Sequence, residues 1–125
     1  VQNLCTNAIQ YTKEGGKIIN SEGHQDADSW GKRAKWVSYF GPDPKGNVVT
    51  ITMMDHPSNF RAPTYWHARD YGLFAANPFG LHDFEKSDDK TKGNHVLAKG
   101  STMTQRYRVI IAKGEAIAAT TEAAF

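Results

Sequence analysis

The sequence predicts a mostly β fold: an antiparallel β-sandwich closed by a short C-terminal helix. Three observations predict it. Residues 48–54 (Val-Val-Thr-Ile-Thr-Met-Met) are rich in β-branched side chains, which suit a pleated, half-buried surface. Residues 32–40 and 102–112 alternate with a period of two, as a strand with one buried face does. Turns rich in Gly and Pro separate these runs, with no helical segments between them, so no parallel βαβ unit is expected.

In chain order, residues 1–11 mix apolar and polar side chains and fit either a strand or a loose helix. Lys13-Glu-Gly-Gly16 is a turn signal, and residues 17–20 (Lys-Ile-Ile-Asn) form a short strand candidate ended by Ser21-Glu22-Gly23. In residues 32–40, Ala34, Trp36, Ser38 and Phe40 point one way and Arg33, Lys35, Val37 and Tyr39 the other. Gly41-Pro-Asp-Pro-Lys-Gly46 then turns the chain, since Pro fixes φ and Gly supplies positive φ. Residues 48–54 return, which makes a hairpin with a loop of about six residues. Residues 83–93 have almost nothing to bury and read as a solvated loop. Residues 95–99 read as a short strand and 102–112 as a long one. Residues 115–125, rich in Ala and Glu, predict a terminal helix too short to stand alone, which must dock or fray. So few strands leave the second layer of the sandwich thinly supplied, which suggests a partial domain.

Bulk properties narrow the function classes. A chain of 125 residues is one domain's worth. Hydrophobic content of 39% with three Trp excludes wholesale disorder. A net charge of +2, without a clustered basic stripe, argues against a nucleic-acid partner. No apolar run approaches the roughly 18 residues of a helical membrane span. Cys5 is the only cysteine, so no internal disulfide and no Cys-based zinc site is expected. The chain begins at Val1 without a charged-then-apolar leader, as a mature form or a piece of something longer would.

The chemistry concentrates in residues 55–80, read as a loop set among turn-forming residues, which hold two of the five His, three of the five Pro and one of the three Trp. Asp55, His56, His67 and Asp70 are the sharpest set. Histidine moves protons near neutral pH, and a nearby carboxylate orients its ring, so His67 and Asp70, with His56 beside them, are the acid–base candidates. A two-His, one-carboxylate metal triad would use the same residues, but no His-x-His or His-Glu-x-x-His spacing supports it, so no metal ligand is assigned and the cofactor stays unassigned. Trp66 and Tyr65 are candidate stacking platforms for a saccharide or other small-molecule ligand, with Trp30, Trp36 and Tyr71 as further aromatics of that kind. Arg33, Arg61 and Arg69 offer forked donors that would clamp a carboxylate or phosphate, with the structural use, each pairing with a nearby Asp to hold a long loop, as the favoured reading. Glu22 is a possible second carboxylate opposite Asp70, or a turn cap. Phosphate-binding Gly-rich loops and nucleophile elbows are absent from the sequence.

Several of these runs resemble a known family. Asn20-Ser-Glu-Gly23, Trp30-Gly-Lys-Arg-Ala34, Asp55-His-Pro-Ser-Asn59 and the run from Tyr65 to Gly80 resemble the bacterial PmoA-like family, labelled methane oxygenase and also treated as a domain of unknown function. The strand over 104–111 is similar to that family's closing strand. The resemblance implies a soluble β-sandwich, periplasmic or secreted, with a shape like that of mutarotase-type sugar-handling sandwiches. It also implies a longer domain whose N-terminal half is missing here. The mean hydropathy of −0.58 is incompatible with the membrane methane monooxygenase subunit that shares the label. The expectation is therefore a carbohydrate-related enzyme domain. The alternatives are a non-catalytic sugar-binding or accessory domain, and the metal-dependent oxygenase that the label names.

Overall fold

A computed structural model describes residues 16–115 and 118–125. The expectations for residues 1–11 lie outside the described residues. The fold is mostly β, an antiparallel sandwich of a four-stranded and a three-stranded sheet. The large sheet has the order β1-β3-β4-β7, from β1 (Lys17–Asn20), β3 (Trp36–Pro42), β4 (Val48–Asp55) and β7 (Tyr107–Lys113). The small sheet has the order β2-β5-β6, from β2 (Lys32–Arg33), β5 (Tyr65–Ala68) and β6 (Phe74–Ala76). Two short helices complete it, α1 (Leu81–Phe84) and α2 (Ala118–Ala124).

The β3–β4 hairpin is the frame. Its register runs from Trp36↔Met54 to Pro42↔Val48. Asp43 closes the connecting loop by accepting from the Lys45 and Asn47 backbone N–H groups at 2.8 and 2.9 Å. Alternation along the hairpin gives the large sheet two different faces. Ile18, Val37, Tyr39 and Ile51 turn inward and pack with Ala34, Trp66, Ala68 and Phe74 to form the core between the sheets. Trp36, Ser38, Thr52 and Met54 turn outward yet are also buried. Helix α2 docks on that side, where Glu122 accepts from Trp36 Nε1 and Lys35 Nζ, each at 2.7 Å. Its apolar content is too small to fold alone, so docking sustains it. Beneath it, Ser38 and Thr52 share a buried hydroxyl pair at 2.7 Å.

Four expectations need correction. The alternation over 32–40 is not one strand. Arg33 pairs with Tyr65 in the small sheet and Trp36 with Met54 in the large one, so the chain changes sheets at Ala34–Lys35. Period-two counting misses such a crossing because both halves alternate. Residues 55–80 are not a plain loop, since they contain the β5–β6 hairpin. Residues 95–99 form no strand, and Val96 stands 86% exposed. The strand over 102–112 starts only at Tyr107, because its partner β4 ends at Asp55 and turns away. Among the described residues the inner side of β7 is left uncovered, with Ile111 67% exposed. Among the described residues no helix is long and apolar enough to cross a membrane.

Candidate functional site

The outer face of the small sheet gathers the most chemistry. Along β5, Trp66 and Ala68 are buried in the core while Tyr65 and His67 are half-buried on the opposite face. The backbone brings Trp30 to the same face. A 3-10 helix (Asp26–Ser29) leads into it, and Gly31 follows with φ +66°, donating its N–H to the Trp66 carbonyl at 2.8 Å. A side chain at Gly31 would be strained at that φ and would press on Phe84, 3.1 Å from the added carbon. Helix α1 supplies Phe84 itself.

These four rings form one cluster. Trp30 meets His67 edge-on at 5.8 Å between centroids and Phe84 at 5.3 Å. Tyr65 stacks on Phe84 at 5.4 Å, and His67 meets Phe84 edge-on at 5.9 Å. These separations and tilts are the favourable ones for aromatic pairs. Two guanidiniums border the rings: Arg69 lies 4.7 Å from the Trp30 ring centre and Arg33 5.5 Å from that of Tyr65. Each is a cation–π contact. The Tyr65 hydroxyl donates to Glu85, which also pairs with Lys92. The Lys92 hydrogen bond, then that of Tyr65, holds the Glu85 carboxyl below its ordinary value. Burial, then Glu85, pushes the Tyr65 hydroxyl up. The indole N–H of Trp30 is shielded from solvent and has no acceptor among the described residues.

The structure brings His67, Tyr65 and Arg69 of the sequence candidates together. It does not bring the others to them. Asp70 is exposed in the turn after β5, its backbone oxygen accepting from Tyr39, and no hydrogen bond joins its carboxylate to His67. His56 stands in the turn after β4, where its Nδ1 accepts from the Ser58 N–H at 3.1 Å. Asp55 is 2% exposed and fully engaged: its carboxylate accepts from Asn59 Nδ2 at 2.7 Å and from the Thr64 N–H at 2.8 Å. Among the described residues no group of three or more His, Cys, Asp or Glu could hold a metal ion.

Trp66 is a correction. It is on a strand, not a loop, has no exposed surface, and donates its indole N–H to the Ala34 carbonyl at 2.8 Å. It is a core residue because β5 alternation turns it inward. Arg61 is a second correction. Its guanidinium donates to the carbonyls of Pro78, Gly93 and Asn94 at 2.9, 2.7 and 3.3 Å, so it clamps a loop through backbone oxygens rather than through an Asp or a ligand. Glu22 is exposed and accepts from Ser21 Oγ at 3.0 Å, while the turn is capped by Asn20, whose side chain accepts from the N–H groups of Glu22 and His24. Phe84 is the residue that sequence reasoning missed. The signal was a single large aromatic in an otherwise charged stretch.

The model of a family of unknown function, DUF6807, matches residues 6–125. The chain belongs to this family. The match spans both sheets and every residue of the aromatic cluster, so the cluster lies within the DUF6807 region itself. No curated protein and no solved structure matches the chain.

Proposed function

We propose that this DUF6807 domain is a carbohydrate-related β-sandwich that binds a saccharide on the outer face of its small sheet. One observation carries the reading: four half-buried aromatic rings, bordered by Arg69 and Arg33, gather on one side of the small sheet, Tyr65 and His67 from β5, Trp30 from the turn before β2 and Phe84 from α1. Pyranose rings present apolar C–H faces that pack on such rings, while their hydroxyls need a few placed polar groups. His67, Arg69 and the Glu85–Tyr65 pair are those groups here. The acceptorless N–H of Trp30 supports the reading, since a shielded donor without a partner is unfavourable by about 1–3 kcal/mol and a ligand oxygen reached by a small ring shift would relieve it.

Binding is favoured over acid–base catalysis because His67 packs against carbon-rich rings and has no carboxylate partner among the described residues. The enzyme reading requires Asp70 to swing onto His67 when ligand arrives. The oxygenase reading draws no ligand set from the described residues. The PmoA-like relationship, with its longer domain, belongs to the same proposal, and the inner side of β7, uncovered among the described residues, offers a face on which further strands would pack.

A glycan array run with the wild type, Trp30→Ala and His67→Ala tests the proposal. The expected result is a hit with the wild type that Trp30→Ala weakens at least about tenfold, the scale of one lost stacking contact with its buried area. Absence of any hit, or hits that Trp30→Ala leaves unchanged, counts against it. Turnover of a bound sugar that His67→Ala abolishes would establish the enzyme reading instead.

A further inference from the structure

A second cluster lies on the other side of the molecule, on the outer face of the large sheet. The β4–β7 ladder ends with Met54↔Arg108 and Asp55↔Tyr107. It continues one rung further through the His56 N–H, which donates to the Arg106 carbonyl at 3.2 Å. Alternation therefore puts Met54, His56, Arg106 and Arg108 on one face and turns Asp55 to the other. These four residues, with Asp55 and Phe125 among others, line a cleft of about 170 Å³.

Asp55 is the one acidic side chain in the cleft lining and its oxygens already accept from Asn59 and Thr64, so the charged groups left to meet a ligand there are the guanidiniums. The Arg106 side chain has no partner among the described residues, whereas its backbone is pinned at both ends by Asn59, at 2.7 Å to the N–H and 2.6 Å to the carbonyl. Arg108 gives one guanidinium N–H to the Ala124 carbonyl at 2.5 Å and keeps the rest. A backbone N–H can only donate, so the Ser58 contact makes His56 Nδ1 an acceptor and leaves Nε2 as the ring's donor. The nearby carboxylates are already engaged: Asp55 with Asn59 and Thr64, Glu122 with Lys35 and Trp36. Two arginines at alternate positions of one strand, lining the same cleft as the apolar Met54 and Phe125, suit a planar, two-oxygen anion. Its volume suits a small molecule rather than a polymer.

The geometry points to a binding site for a small organic carboxylate at the end of β4 and β7, held by Arg106 and Arg108 with His56 as a third donor. It is separate from the aromatic face and stands or falls independently of it.

Amide-resolved NMR titration with glucuronate, with glucose and inorganic phosphate as controls, tests this on the full chain. The expected result is saturable shifts at residues 56 and 106–108 with glucuronate and none there with glucose. Arg106→Gln should weaken glucuronate at least about tenfold, as loss of a charge-assisted hydrogen bond does. If Arg108→Gln also disturbs α2, Arg106→Gln alone decides, since its side chain supports nothing else. No shifts up to about 10 mM glucuronate, equal shifts with glucose, shifts confined to other residues, or unchanged affinity in Arg106→Gln each overturn the proposal, 10 mM being weaker than any useful specific affinity. Saturation by phosphate but not by glucuronate overturns the carboxylate assignment.

Discussion

Replacing Asp55 with Ala should destabilise the domain severely without touching the ligand face. Asp55 lies at the end of β4, 2% exposed, where it ties the following turn to the start of β5. Its removal leaves the Thr64 N–H and one Asn59 N–H without acceptors, both in buried positions. Hydrogen bonds to a charged group contribute about 1.5–3 kcal/mol each, and the orphaned donors keep their desolvation penalty, so a loss of roughly 3–5 kcal/mol is expected. Against a total stability of about 5–15 kcal/mol that is a large share. Urea denaturation followed by circular dichroism measures it. Where Asp55→Ala is too unstable to handle, Asn59→Ala and Asp55→Asn close a double-mutant comparison, with a coupling of about 1 kcal/mol or more expected for side chains in direct contact. If Asp55→Ala stays within about 1 kcal/mol of the wild type, the description of Asp55 as a structural staple is wrong.

Gly31→Ala should lower stability by about 1–2 kcal/mol, because the left-handed backbone is unfavourable for a side chain and Phe84 must shift; thermal melting and ligand binding should fall together. Arg61→Ala should loosen the carbonyl clamp on residues 78–94, so limited proteolysis there should accelerate while saccharide binding is retained. Docking of α2 should depend on acid pH. The Lys35 hydrogen bond, then that of Trp36, lowers the Glu122 carboxyl below its ordinary 4.5. A lowered folded-state value means the contribution is complete above about 4.5, the ordinary carboxylate value, and is lost as pH falls through the lower folded one. The emission of Trp36 should shift to the red over that range, and Glu122→Gln should remove the shift.

The sequence was most legible where one strand meets one uniform environment. Residues 17–20 and 48–54 were read almost to the residue, since β-branched side chains and flanking turns agree there. It was least legible where the chain changes partners. Nothing in the alternation from Lys32 to Phe40 distinguishes a strand that pairs with β5 from one that pairs with β4. The alternation before Tyr107 is genuine but has no strand beside it. At the site, His67, Tyr65 and Arg69 were legible as a local run. Trp66 in the same run was not separable from them without knowing which face of β5 is inward. Phe84 reaches the cluster from a charged stretch, which no local pattern announces. Arg106 and Arg108 read as the polar side of a strand and become a pair of donors only when His56 is placed across the ladder from them.

In the proposed binding mode a saccharide stacks on the ring of Trp30. Trp36 and Trp66 are buried at 1% and 0% exposure, so of the three tryptophans Trp30 alone can report contact with a ligand. The direct measurement is a titration of intrinsic tryptophan fluorescence with the oligosaccharides that score on the array, in the wild type and in Trp30→Phe. Stacking on Trp30 gives a saturable spectral change in the wild type that disappears in Trp30→Phe. A change that persists in Trp30→Phe, or no saturable change with any oligosaccharide, would contradict it.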